Sequence, residues 1–180
     1  MTRFLLAILA VSLGIASAEA ALKPGDKAPG FTTQASLGGK VFTFSLAEAL
    51  KKGPVVLYFY PEAFTSGCTI EAHEFAAAAD KYKAAGATII GLSHDGIEKL
   101  QKFSVSECRN KFAVGADQDQ KIMKAYDAVL KEEPTYADRT SYVIAPDGEI
   151  LYAYTNMDHP REHVTQTLAA VKRWAAAHPR

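Results

Sequence analysis

The 180-residue chain carries 20 Lys plus Arg against 20 Asp plus Glu, and this formal net charge of zero argues against nucleic acid as a partner. Beyond an apolar N-terminal run, no stretch is long and apolar enough to cross a bilayer, which argues against a membrane-embedded domain. Only two cysteines are present, Cys68 and Cys108.

The first 20 residues read as a cleaved secretory signal. Arg3 supplies a basic start, residues 4–16 are apolar, and Ala18-Glu19-Ala20 offers small residues around a cut after Ala20. A cut after Ala18, at Ala16-Ser17-Ala18, is the alternative. An uncleaved anchor is the competing reading, but the run is short for a span and no stop-transfer charges follow. The expectation is a signal peptide over 1–20, one domain over 21–180, export to the periplasm and no stable membrane association after cleavage. Arg3 and Glu19 leave together, so the charge balance survives. In an oxidising compartment, a structural Cys68–Cys108 disulfide is the ordinary expectation.

Residues 22–31 hold two prolines and two glycines and predict an irregular lead-in across the surface. Ser36-Leu37-Gly38-Gly39-Lys40 predicts a tight turn, with a short strand over Val41-Phe42-Thr43-Phe44. Ser45 and Glu48 form a capping pair for a brief helix to about Lys51, which Gly53-Pro54 ends. Val55-Val56-Leu57-Tyr58-Phe59-Tyr60 predicts a buried central strand stopped by Pro61. A helix then begins near Gly67, capped by Thr65 or Ser66, with Phe75, Ala78, Ala79 and Tyr82 on one stripe and Gly86 as terminator.

Residues 87–92 predict a second strand covered on both faces. Asp95 followed by Glu98 predicts the start of another helix, with Ile97, Leu100 and Phe103 inward and Cys108 at or just past its end. Phe112-Ala113-Val114-Gly115 predicts a third parallel strand, and residues 122–126 a short helix. Two apolar runs flanking Pro146-Asp147-Gly148 predict a hairpin. Pro160 opens a last helix with Val164, Leu168, Val171 and Ala175 on one side. Strand–helix alternation followed by a hairpin and a closing helix predicts a three-layer α/β domain around a central mixed sheet.

Cys68 sits in the first turn of a helix, where unpaired N–H groups and the positive end of the helix dipole favour a thiolate, the reactive form. A buried, inert thiol or a disulfide half is the blander reading of the same placement. His73, His94 and His159 form no ligand spacing, so no metal site is expected. A dithiol oxidoreductase is disfavoured because Glu71 stands where a Cys-x-x-Cys motif needs its second thiol.

Pro61, Thr65 and Cys68 stand in the spacing Pro-x-x-x-Thr-x-x-Cys, which resembles the active-site signature of peroxiredoxins, the alkyl hydroperoxide reductase and thiol-specific antioxidant family. Gly25 to Pro29 is similar to the family's opening segment. Tyr58-Phe59-Tyr60-Pro61, Cys68-Thr69-Ile70-Glu71 and residues 139–144 before the Pro-Asp-Gly turn resemble the bacterioferritin-comigratory, or Q-type, branch. The resemblance implies a thioredoxin-like fold and a thiol peroxidase that reduces hydrogen peroxide and organic hydroperoxides without metal, haem or flavin.

By the same resemblance Cys68 is the nucleophile, Arg139 supports its thiolate and the departing oxygen, Thr65 orients sulfur and peroxide, Pro61 shields the pocket, and Glu71 supports. The branch often carries its resolving cysteine five positions after the nucleophile, but His73 occupies that place. Cys108 is the remaining candidate. A one-cysteine enzyme reduced directly by an external thiol, and a non-catalytic binding domain with a structural disulfide, stay open as alternatives. The expected reductant is a thioredoxin-like protein or a small thiol, and the expected state a monomer.

Overall fold

The computed structural model describes residues 22–179. In chain order the elements are β1 (Thr32–Leu37), β2 (Lys40–Ser45), α1 (Leu46–Leu50), β3 (Val55–Phe59), α2 (Ser66–Ala84) and β4 (Thr88–Ser93), then α3 (Ile97–Ser106), β5 (Ala113–Ala116), α4 (Lys121–Ala125), β6 (Thr140–Ile144), β7 (Ile150–Thr155) and α5 (Pro160–Ala177). The strands form one mixed sheet in the order β2-β1-β5-β4-β3-β6-β7. β3, β4 and β5 run parallel, and β6, β7, β1 and β2 pair antiparallel.

Side-chain alternation along β3 explains why its sequence is apolar throughout. Val56, Tyr58 and Tyr60 enter one core layer with α2, α3 and α5, while Val55, Leu57 and Phe59 enter the opposite layer with α1 and α4. A strand buried on both faces has no polar position to spare. Tyr58 lies opposite Gly91 of β4, and a Cβ at Gly91 would fall 2.5 Å from its ring. The missing side chain is what lets Tyr58 fold over the neighbouring strand and stack on Phe75 of α2 at 4.4 Å.

The three-layer domain and its central mixed sheet match the expectation, as do the parallel placement of β5, the β6–β7 hairpin and the closing helix. Ser45 accepts from the Glu48 N–H at 3.5 Å, the cap the sequence predicts for α1. One strand is additional. β1 carries Thr-Thr-Gln-Ala-Ser-Leu, of which only Ala35 and Ser36 are buried, so it has no apolar alternation to reveal it. Pairing on both sides makes it a strand: β2 antiparallel through the Gly38-Gly39 turn, and β5 beyond. Gly38 and Gly39 both have positive φ (55° and 77°), the geometry a two-residue hairpin turn needs.

Asp95 does not cap α3, whose N-cap is Gly96. Its carboxylate instead turns back into the protein, accepting from the Ala63 N–H at 2.7 Å and the Ser93 hydroxyl at 2.8 Å. The expected leader, residues 1–20, lies outside the described residues.

Candidate active site

Four polar anchors fix the loop between β3 and α2. The His94 ring nitrogen donates to the Pro61 carbonyl (3.1 Å), Lys99 reaches the Glu62 carboxylate (2.7 Å), Asp95 takes the Ala63 N–H, and the Thr65 hydroxyl donates to the Glu62 carbonyl (3.0 Å). Phe64, held between them at φ 71°, sits in a left-handed conformation uncommon for a bulky residue, with its ring edge-on to Phe103. Conformational strain of this kind persists only where surrounding bonds over-determine the backbone.

Thr65 is the N-cap residue of α2, but its hydroxyl makes no capping bond. The opening N–H groups of the helix are therefore not capped by this side chain, and Cys68 lies in that first turn with only 2 % of its surface exposed. The expected Thr65 contact to the cysteine is not made in this conformation. With its proton committed to Glu62, the hydroxyl keeps acceptor capacity toward a bound molecule.

Arg139, immediately before β6, reaches across to α2. Its Nη2 donates to Cys68 Sγ at 3.7 Å, its Nη1 donates to Glu71 Oε2 in a close ion pair, and its Nε donates to the Met157 carbonyl at 3.1 Å. Each of the three guanidinium nitrogens thus has a partner, in a site where Arg139 is 3 % exposed. Burial opposes the arginine's charge, but the neighbouring Glu71 and Cys68 outweigh it and hold the guanidinium protonated. For Glu71 the balance runs the other way. Complete burial pushes its carboxyl up to about 8 against the pull of Arg139. Its second oxygen, Oε1, has no hydrogen-bond partner. One cation is therefore shared by a thiol and a carboxyl.

The arrangement sets a buried thiol beside a fixed positive charge, with a hydroxyl acceptor on the loop leading to it. Residues 24–153 match the AhpC/TSA family. The chain belongs to that family. It is 34% identical over 163 residues to the chloroplastic peroxiredoxin Q of Triticum aestivum, covering 91% of this chain and 72% of that protein. With the chloroplastic peroxiredoxin Q of Populus jackii it shares 34% identity over 149 residues, 83% of this chain and 68% of the relative. The crystal structure of peroxidoxin BcpB from Mycobacterium tuberculosis superposes with a TM-score of 0.77 at 27% identity, covering 84% of this chain and 97% of that one. This protein is a peroxiredoxin of the Q branch with the thioredoxin-like fold, and a thiol peroxidase.

Of the six residues singled out in the sequence, the peroxiredoxin fold brings Cys68, Arg139 and Glu71 into contact and sets Thr65 and Pro61 on the loop leading to them. Cys108 stands apart. It lies past the end of α3, fully buried, and both cysteines are free thiols within the same core layer. Burial, followed by the adjacent Glu107, pushes the Cys108 thiol far up. His73, in the place of the branch's usual resolving cysteine, bonds the Glu107 carboxylate at 2.7 Å and so ties α2 to the residue preceding Cys108.

Three supporting groups escaped the sequence reading: His94, Asp95 and the Met157 carbonyl. None carries a motif, and Asp95 resembles an ordinary helix cap. Among the described residues no group of three or more His, Cys, Asp and Glu is placed to hold a metal ion.

Gly67 offers a clean perturbation. A Cβ there would lie 2.9 Å from Arg139 Nη2, so the guanidinium tip must move off Cys68, while a helical Gly-to-Ala change otherwise favours folding. Gly67→Ala is expected to slow peroxide reduction by about tenfold, measured by stopped-flow kinetics on protein shown by circular dichroism to be folded.

Proposed function

We propose that Cys68 is the peroxidatic nucleophile and Cys108 its resolving partner, in an enzyme that reduces hydrogen peroxide and organic hydroperoxides. The observation that carries this reading is the Arg139 Nη2 to Cys68 Sγ contact at 3.7 Å, made by a guanidinium locked on its other sides by Glu71 and Met157.

The Cys68 thiolate attacks one peroxide oxygen, the O–O bond breaks, and the electron pair leaves with the second oxygen, which takes a proton to become water or alcohol. Arg139 and the first-turn N–H groups of α2 face the charge as it develops on the departing oxygen. Thr65 accepts a hydrogen bond from the peroxide and aligns it, and Pro61 closes one side without an N–H that would compete. Cys68 is left as a sulfenic acid.

Cys108 then attacks the sulfenic sulfur, a disulfide forms, and the hydroxyl leaves with a proton as water. A thiol pushed far up by burial cannot act as a thiolate inside the core, so Cys108 must come into water and the first turn of α2 must unwind to meet it. A thioredoxin-type dithiol returns the disulfide to two thiols. The proposed leader places the cycle in the periplasm, with an exported thioredoxin-fold protein or small thiol as donor; mature protein starting at Glu19 or Ala21 is the check. A monomer is part of the same proposal, read by sedimentation.

The deciding experiment treats reduced protein with one equivalent of hydrogen peroxide. Consumption far faster than by free cysteine, followed by an intramolecular Cys68–Cys108 bond in the mass spectrum, is expected. Consumption no faster than free cysteine would overturn the nucleophile. Fast consumption with a persistent sulfenic acid would leave a one-cysteine enzyme instead.

A further inference from the structure

His163, in the first turns of α5, is fully buried and has no part in the reaction described above. Its Nε2 lies 2.9 Å from the Asn156 carbonyl and its Nδ1 lies 2.8 Å from the Ser141 hydroxyl. A carbonyl only accepts, so Nε2 carries the proton, and neutral Nδ1 accepts from Ser141. The ring is a strut with one defined tautomer.

Both ends of the strut reach Arg139. Ser141 lies on β6, two residues beyond Arg139, which immediately precedes that strand. Asn156 is paired to Arg139 directly, its N–H donating to the Arg139 carbonyl at 3.1 Å. The next carbonyl in the chain, Met157, accepts from Arg139 Nε. The peptide that His163 grips therefore directly precedes the one that aims the guanidinium, and the Asn156 side chain continues the arrangement by accepting from the N–H groups of Asp158 and His159 at 3.0 and 3.1 Å.

We propose that His163 is a positioning residue for Arg139, holding the Asn156–Met157 segment so that Nη2 is presented to Cys68. The proposal rests on the role given to Arg139 above. His163 also faces the unpartnered Oε1 of Glu71 at 3.9 Å from Nδ1. The single in-plane lone pair of Nδ1 is taken by the Ser141 hydroxyl, so His163 offers Oε1 no hydrogen bond. Burial first, then the Arg139 charge, hold the imidazole down at about 4, against the Asn156 bond and Glu162. A strut that remains neutral at working pH adds no second cation to compete with Arg139.

The test is a double-mutant cycle on the full chain, with second-order rates of peroxide reduction measured by stopped flow on protein shown to be folded. His163→Leu removes both bonds and is expected to slow the reaction about tenfold. His163→Gln keeps a donor of similar reach toward Asn156 and is expected to recover to within about threefold of wild type. Arg139→Lys lacks the Nε that Met157 holds, so adding His163→Leu to it should cost nothing further.

A wild-type rate in folded His163→Leu would overturn the proposal, and so would an equal loss in the Arg139→Lys background, since His163 would then act by another route. If His163→Leu does not fold, Ser141→Ala cuts the same strut at its other end and decides the cycle. Failure of the peroxidase reading itself is seen separately, in wild-type protein that reacts no faster than free cysteine.

Discussion

Arg139→Ala is expected to react with hydrogen peroxide about 10²–10³-fold more slowly than wild type, the range for losing one preorganised donor to developing oxyanion charge, with Cys68→Ser as the zero of the scale. The loss has two sources. Arg139 is the side-chain cation bonded to Cys68 Sγ, and its guanidinium is held on all sides, so no reorganisation is needed as charge moves from sulfur to oxygen. The same variant is expected to lose about 1–3 kcal/mol of stability, because the buried Glu71 carboxyl is left without its hydrogen-bond partner. Urea unfolding at pH 8 reads the second effect and stopped-flow kinetics on the folded fraction the first. Loss of stability with an unchanged rate would mean that the arginine serves the fold alone.

The pairing of these effects shows why the site was only partly legible in the sequence. Pro61, Thr65 and Cys68 lie close together on a strand–loop–helix unit, and their chemistry follows from that local geometry. Arg139 and Glu71 are 68 positions apart and meet because β6 pairs antiparallel with β3, which sets Thr140 opposite Phe59 at the end of the strand that leads into the loop. Register, not local propensity, delivers the charge to the thiol. The Met157 carbonyl and the His163 strut depend on tertiary packing alone and have no composition to announce them.

The fold follows the same division. β3 and β4 are visible because burial on both faces leaves an unbroken apolar run. β1 is invisible because its partners, not its residues, make it a strand. Asp95 shows the converse error: a residue with the right identity and spacing for a cap is drawn away by a loop that needs an acceptor for Ala63. The sequence places Cys68 at the helix start, whereas the sheet supplies what surrounds it.

Stability between pH 6.5 and 8 is expected to fall by about 2 kcal/mol, an uncommon direction for a carboxylate partnered by arginine. Burial raises the Glu71 carboxyl from 4.5 to about 8, so over that interval the folded state holds a proton that the unfolded state releases. Its contribution is fully present below pH 4.5 and is lost as pH rises through 8. His163 works in the opposite sense. Its imidazole falls from 6.5 to about 4 in the fold, so its contribution is present above pH 6.5 and lost as pH falls through 4. Between pH 4.5 and 6.5 the two slopes oppose one another; above 6.5 only Glu71 remains, at about 1.4 kcal/mol per pH unit until it approaches its own titration. For a chain of this length the change corresponds to about 4–8 °C in Tm. Glu71→Gln keeps the shape without the titration, and the difference in slope between it and the wild type isolates this one group from every other ionisation in the interval. Parallel slopes would show that Glu71 stays ionised throughout, with Arg139 committed to it. A steeper fall in the wild type would instead place the proton on Glu71 at neutral pH, leaving the guanidinium charge for Cys68.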